Sequence, residues 1–289
     1  MKVLLVGCSG QLATELQKQV PETCELLIPD RSQLDLEQGI SCYDYVIEHK
    51  PDWILNAGAY TNVDQAEVES RKAYQINAYG PGAMALALKK TGGKLLYVST
   101  DYVFHGDKSR AYEITDVPEP LNVYGASKFW GEQHVIDALP EDQYAIVRTS
   151  WVYSATGNNF VKTMINSFKT NDIVRVVADQ YGCPTSAASL ATACWRIVDQ
   201  SLTGMFHWTD GSAMSWADFA DAIAEEAFNT KALRHRPTII RVGTSDYKTL
   251  AIRPKFSVLN CTDSYERLEL ERPHWLANLR DVIKELVVE

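Results

Sequence analysis

The sequence predicts an α/β protein built on a doubly wound parallel sheet. Three stretches carry that expectation. Residues 2–6, Lys-Val-Leu-Leu-Val, form a short apolar run that meets Gly7-Cys-Ser-Gly10 and then a helical pattern. Residues 94–98 give a second apolar run, closed by Ser99-Thr100-Asp101. Further on, Tyr124 and Lys128 are spaced to share one face of a helix. Short apolar runs bounded by turn residues read as buried strands, and strands alternating with helical patterns build parallel sheets.

At 289 residues the chain is long enough for one large α/β domain or two coupled ones. Its net charge of −9 argues against non-specific binding to nucleic acid or an anionic membrane. No run approaches the length of a membrane span, and the apolar start is too short for a signal-peptide core. The six cysteines are scattered, with no C-x-x-C and no histidine pair at metal spacing. Reduced thiols in a cytoplasmic protein, and no metal site, are the expectation.

The first unit is strand 2–6, the turn Gly7-Cys-Ser9-Gly10-Gln11-Leu12-Ala13, and a helix from Leu12 to Val20. Glycines here let the backbone turn tightly against a pyrophosphate, and the helix start offers N–H donors and a positive partial charge. The pattern is G-x-x-G-x-x-A, with Ala13 keeping helix and strand close. Glu25 to Ile28 is a second strand, ending at Pro29-Asp30-Arg31. An acid at that point favours a free ribose 2′-hydroxyl and an arginine favours a 2′-phosphate. Both are present, so Asp30 and Arg31 predict NADPH with NADH tolerated, and Asp35 and Leu36 fall near the adenine. A helix over 43–50 leads to strand and turn Trp53-Ile-Leu-Asn-Ala57-Gly58-Ala59, whose small residues let a cofactor pass. Asn77, in the next helix, is a surface residue or a bond to a neighbouring strand's backbone. Further helices are expected from Ser215, as N-cap, to Phe228 and from Leu276 to Val288.

The chemistry is expected where the strand of 94–98 ends. Open α/β sheets bind ligands at the carboxyl ends of their strands. With Lys128 one helical turn from Tyr124, phenol and ammonium face the same space. A nearby cation favours the phenolate, which makes Tyr124 a better proton donor at neutral pH.

The order Gly-x-x-Gly-Gln-Leu at 7–12, Asn56-Ala-Gly-Ala-Tyr-Thr-Asn-Val-Asp64, Ser99-Thr-Asp-Tyr-Val-Phe104 and Tyr124-Gly-x-Ser-Lys-x-x-Gly-Glu132 resembles the extended short-chain dehydrogenases/reductases. Downstream, Arg148-Thr-Ser-Trp-Val-Tyr153, Asn158-Asn-Phe160, Asp179-Gln-Tyr-Gly-Cys-Pro-Thr185 and Arg253-Pro-x-x-Ser257 extend the match. Within that group the chain is similar to the dTDP-4-dehydrorhamnose reductases, over nearly its whole length.

The resemblance implies a Rossmann-like sheet over 1–150, with returning segments near 178–205 and 238–260. It implies a smaller, interleaved α/β substrate domain over most of 151–289. It makes Tyr124 the acid that protonates the sugar C4 oxygen, Lys128 the partner of the nicotinamide ribose that lowers the Tyr124 pKa, and Thr100 the hydroxyl that orients the carbonyl. A nucleotide-sugar substrate would meet Thr61, Val63, Thr100, Asp101, Tyr102, Trp151, Asn159 and Arg253. Some relatives hold Mg²⁺ between subunits through a carboxylate after the Pro-Thr motif. Here that region is Pro184-Thr-Ser-Ala-Ala-Ser-Leu190, with no carboxylate, so a monomer or weak homodimer is expected. Three alternatives stay open. One is a non-catalytic NADP-binding regulatory subunit like the methionine adenosyltransferase β-subunit. Another is a reductase of a different 4-keto nucleotide sugar. The third is an epimerase or dehydratase of nucleotide sugars, against which Asp101-Tyr102 stands where a dehydratase carries Asp-Glu.

Overall fold

A computed structural model describes residues 1–288. Six parallel strands form the main sheet: β1 (Lys2–Val6), β2 (Glu25–Leu27), β3 (Trp53–Asn56), β4 (Lys94–Thr100), β5 (Tyr144–Thr149) and, out of sequence order, the strand Gly204–His207. Starting from that last strand, the spatial order runs through β5, β4, β3 and β1 to β2. Every pairing is parallel. The winding direction changes between β1 and β3, and the carboxyl ends around that switch point form the natural ligand crevice.

Alternation along the strands explains why both faces are covered. Leu4, Ile54, Leu95 and Ile146 point to one side, where Val46, Met84 and Val135 meet them. Those partners come from α2 (Gly39–His49), α5 (Gly80–Thr91) and α6 (Val123–Ala138). Val3, Leu5, Leu96 and Val147 point the other way, onto α1 (Gln11–Lys18) and α8 (Ala187–Asp199). Strands buried on both faces read as continuous apolar runs, as residues 2–6 and 94–98 do.

Between β3 and α5, α3 (Val63–Val68) and α4 (Ser70–Tyr74) lead into one π-helical turn, Gln75–Tyr79. Asn77 sits on that turn and is fully buried. It bonds a loop's backbone: Tyr60 N–H donates to its Oδ1 at 2.8 Å, and its Nδ2 donates to Tyr60 O at 3.0 Å. The same Nδ2 reaches Ser127 Oγ on α6 at 2.9 Å. The π turn thus ties the β3 loop to the helix that carries Tyr124 and Lys128.

A second core collects α7 (Phe160–Phe168), β7 (Ile173–Val177), α9 (Trp216–Asn229) and α11 (Trp275–Val288). Ser215 caps α9 in a capping box with Asp218, a device worth about 1 kcal/mol. Short strands β6 (Val152–Tyr153) with β9 (Thr185–Ser186), and β8 (Tyr181–Gly182) with β11 (Met214–Ser215), stitch the loops between the two cores.

Later segments of the chain return to the main sheet, and two of them lie differently from the expected ones. The returning strand, β10 (Gly204–His207), lies just at the end of the 178–205 window and pairs with β5. In the 238–260 window, β12 (Thr238–Val242) stays in the second unit, in parallel register with β7. From Ala251 onward that window reaches back, with Ala251 and Arg253 on Asp64, Ser257 on Asp101 and Leu259 bridging Tyr112. Helix α10 (Thr262–Leu268) then packs against α8 and β10. Helix α2 also begins four residues before the expected Tyr43, at Gly39. No helix is long and apolar enough to cross a membrane among the described residues.

Candidate active site

A cleft of about 730 Å³ opens over the carboxyl ends of β1, β3, β4 and β5. Gly7 makes its floor possible. Its φ is +92°, and a Cβ there would stand 2.5 Å from Gly58 Cα, so the two turns touch only because neither carries a side chain. Gly10 then starts α1 with no side-chain cap. The first-turn N–H groups of the helix are left for whatever occupies the cleft, and a phosphate is the group such an end prefers. Two buried hydroxyls in the lining, Ser99 Oγ and Thr149 Oγ1, have no hydrogen-bond partner among the described residues. Buried hydroxyls without partners are costly, so both call for a ligand's polar atoms. An uncapped helix, facing glycines and unspent hydroxyls fit a pyrophosphate-linked dinucleotide.

Of the residues expected to meet a cofactor, Gly7, Ser9, Gly10, Gln11, Leu12, Arg31, Asp35, Leu36, Ala57, Gly58, Ala59, Tyr124 and Lys128 line this cleft. Arg31 is exposed and paired with Asp35 at 3.4 Å and Glu37 at 3.0 Å. Exposed pairs of this kind hold their partners by about 0–1 kcal/mol, so the guanidinium is free to trade them for a phosphate. Asp30 is the exception. Its carboxylate is spent inside its own turn, accepting Ser32 N–H at 2.8 Å and Ser32 Oγ–H at 2.5 Å, and Pro29 lines the cleft in its place.

Thr100, Tyr124 and Lys128 converge at the inner end. Thr100 is the last residue of β4, and Tyr124 follows the Asn122 cap that starts α6. Burial pushes the Tyr124 phenol up to about 12, opposed by the Thr100 hydroxyl and reinforced by the charge of Asp101. Burial pushes Lys128 down to about 7, opposed by the carboxylate of Glu132. The Lys128 ammonium sits 4.1 Å from the centroid of the Tyr97 ring, a cation–π contact. This corrects the expected pairing. Burial dominates both shifts, and Lys128 is not among the groups that move the phenol. The phenol carries its proton at neutral pH, as a donor must, but the raised pKa makes it a weaker acid than an ordinary tyrosine.

Glu132 and Arg148 support this corner from behind. Arg148 Nε and Nη2 donate to the two Glu132 oxygens at 2.9 and 2.7 Å, and both side chains are buried. Glu132 lies one turn beyond Lys128 on α6.

On the substrate side, Thr61, Thr100, Asp101 and Trp151 line the cleft. Trp151 holds a left-handed backbone, φ +47°, a strained state for a bulky residue that structures retain mainly at working sites. One indole face stacks on Trp216 with centroids 3.4 Å apart, and Gly182 leaves room for the ring. Four other expected contacts lie outside the lining. Val63 opens α3. Tyr102 is buried, its ring edge-on to Tyr124 with centroids 6.0 Å apart. Asn159 is used up as the α7 cap and as a brace, its Nδ2 donating to Gln11 Oε1 at 2.8 Å. Arg253, expected at the diphosphate, instead grips Asp64, with Nη1 and Nη2 donating at 3.1 and 2.8 Å. The neighbours of these positions line the cleft where they do not: Asn158 and Gly157 beside Asn159.

Sequence reasoning did not single out Thr149 and Ser150, and it set Ser99 aside in favour of its neighbour Thr100. A signal was present: Thr149-Ser150 closes β5 with two hydroxyls, as Ser99-Thr100 closes β4, and the two threonines are ladder partners.

Comparison with known proteins bears on this geometry. The family model described as RmlD substrate binding domain matches residues 1–288. A dTDP-4-dehydrorhamnose reductase from Aggregatibacter actinomycetemcomitans is 38% identical over 289 residues, covering 97% of this chain and 98% of that protein. The crystal structure of a dTDP-4-dehydrorhamnose reductase from Clostridium acetobutylicum superposes with a TM-score of 0.92 at 36% identity, covering 99% of this chain and 100% of that one. Another, from Bacillus anthracis in complex with NADP, gives 0.90 at 38% identity, covering 98% and 99%. Matched end to end by one family model and by reductases of one kind, the chain belongs to the dTDP-4-dehydrorhamnose reductase family.

Proposed function

We propose that the protein reduces the C4 keto group of dTDP-4-dehydro-6-deoxy-L-mannose to give dTDP-L-rhamnose, using NADPH with NADH tolerated. The observation that carries this reading is the meeting of Thr100, Tyr124 and Lys128 at the end of a cleft that begins with an uncapped helix and a glycine turn. NADPH, when bound, supplies the hydride. The chain supplies position and a proton. Tyr124 gives its phenolic proton to the carbonyl oxygen as charge builds there. Thr100 directs the carbonyl, and Lys128 holds the ribose. Trp151, in the cleft lining, offers indole surface to an apolar sugar face. The product is a precursor for surface polysaccharide, made in the cytoplasm.

The deciding experiment is oxidation of NADPH and NADH with a panel of 4-keto nucleotide sugars. Turnover should be fastest with the 4-keto-6-deoxy-L-mannose derivative of dTDP. Oxidation with none of the panel would sink the reading and favour a binding subunit.

Arg31→Ala should weaken NADPH binding by about tenfold or more and leave NADH nearly unchanged, since only the former offers a 2′-phosphate to the guanidinium. Fluorescence titration of both cofactors checks this, and an equal loss for each would make Arg31 structural.

Activity should survive EDTA and gain nothing from Mg²⁺. Tyr124 and Thr100 polarise the carbonyl without a Lewis acid, and the 184–190 segment offers no carboxylate. Light scattering with and without Mg²⁺ should give one mass, that of a monomer or weak homodimer. A Mg²⁺-dependent doubling would refute it.

A further inference from the structure

Asp101 follows Thr100 directly and is buried with it, 2% and 5% exposed. The Thr100 hydroxyl is crowded with partners. Tyr102 N–H donates to its oxygen at 3.2 Å, and its own proton goes to Asp101 Oδ1 at 3.1 Å. On the far side, Ser257 donates its hydroxyl proton to Asp101 Oδ2. Ser257 is 2% exposed and arrives from the C-terminal segment, far along the chain. A threonine has one proton to give. While Asp101 is a carboxylate, that proton is bound to it, and Thr100 has none for a substrate carbonyl. With Asp101 protonated, the carboxyl can donate to Thr100 and release the threonine proton toward the cleft. Ser257 then decides which oxygen holds the carboxyl proton. Because it donates to Oδ2, the proton belongs on Oδ1, facing Thr100.

We infer that Asp101 and Ser257 are positioning residues that work as a pair: a protonated Asp101, oriented by Ser257, turns the Thr100 hydroxyl outward to donate to the reacting carbonyl. This deepens the proposed reduction and rests on it. Burial favours the neutral carboxyl, holding Asp101 up at about 7 against the opposing bonds from Ser257 and Thr100. The groups facing it are Tyr124, Tyr102 and Cys183, all pushed to higher pKa by burial and so neutral near pH 7. Arg253 and Asp64 lie beyond Tyr102, paired with each other. Lys128 also titrates near 7 and is the competing source of any alkaline loss of activity.

The test uses the full chain. First, kcat for NADPH-dependent reduction of the dTDP-linked 4-keto sugar is followed from pH 6 to 9. Wild type should lose about tenfold per pH unit above the Asp101 pKa. Asp101→Asn, whose amide donates to Thr100 at every pH, should vary less than threefold over that range whatever its absolute rate. Ser257→Ala removes a donor to the carboxylate, so Asp101 should hold its proton longer and the alkaline fall should move to higher pH. An alkaline fall that persists in Asp101→Asn belongs to Lys128 and overturns the inference, as does an unmoved fall in Ser257→Ala. Second, carboxyl ¹³C NMR with labelled aspartate, assigned by the Asp101→Asn variant, needs no turnover. A signal titrating above pH 6, and higher still in Ser257→Ala, supports the pair; one titrating below pH 5 overturns it. Absence of turnover in wild type would refute the reduction while the NMR arm still decides the state of Asp101.

Discussion

Tyr124→Phe should lower kcat by roughly two to four orders of magnitude, the usual worth of a positioned proton donor. The ring is half-buried beside Tyr102, so phenylalanine fits the same space and the loss falls on the proton alone. Cofactor affinity should hold within about threefold, because the glycine turn, α1 and Lys128 are untouched. The kinetic signature is therefore a fall in kcat with little change in the Kd for NADPH. Single-turnover measurement separates chemistry from product release. A variant with kcat within about threefold of wild type would remove Tyr124 from the mechanism and return the proton to a water or to Thr100.

Glu132→Ala should be the most damaging substitution for stability, costing about 3–5 kcal/mol, the range for breaking one side of a buried ion pair. The carboxylate is fully buried and bonded twice to Arg148, whose guanidinium lies over the Phe104 ring at 5.0 Å. Without it, Arg148 loses its ion-pair partner and Lys128 loses the carboxylate that supports its charge. Urea denaturation should show a lower midpoint at unchanged m-value. The double variant Glu132→Met with Arg148→Met should recover much of the loss, since two well-packed apolar side chains can replace a buried pair. A midpoint shift worth under about 0.5 kcal/mol in Glu132→Ala would show that the pair is relaxed by water.

The main sheet was legible because its strands are buried on both faces and stand next to glycines. Residues 2–6, 53–56 and 94–100 announce themselves by composition, and the family resemblance rests on the turns that follow them. The site was legible where a role depends on local spacing, as with Tyr124 and Lys128. It was obscure where a role depends on a partner far along the chain. Arg253 and Asn159 have side chains suited to a diphosphate or a sugar, and only the fold shows them engaged by Asp64 and Gln11. Asp30 is engaged for a local reason: an acid before Arg-Ser-Gln bonds the backbone two and three residues on, an Asx turn. The sixth strand, Gly-Met-Phe-His, is too short and mixed to read as a sheet member. The pKa inversion at Tyr124 and Lys128 was out of reach, since burial, not sequence distance, sets it.

The threading of β10 and of the Ser257 segment bears on how the enzyme is made. Ribosomes deliver the chain from its N-terminus, and early segments fold as units when they can. Here β1 to β5 emerge first, complete with Thr100, Tyr124 and Lys128. Yet the flank of β5 stays bare until Gly204–His207 follows, and the carboxyl of Asp101 has no Ser257 until nearly the whole chain is out. A nascent chain stalled after β5 would carry Thr100, Tyr124 and Lys128 on a sheet with an unpaired edge, a template for pairing with other chains. Burden on chaperones should therefore concentrate in the window of translation between β5 and β10, and a truncated product ending there should aggregate instead of reducing sugar.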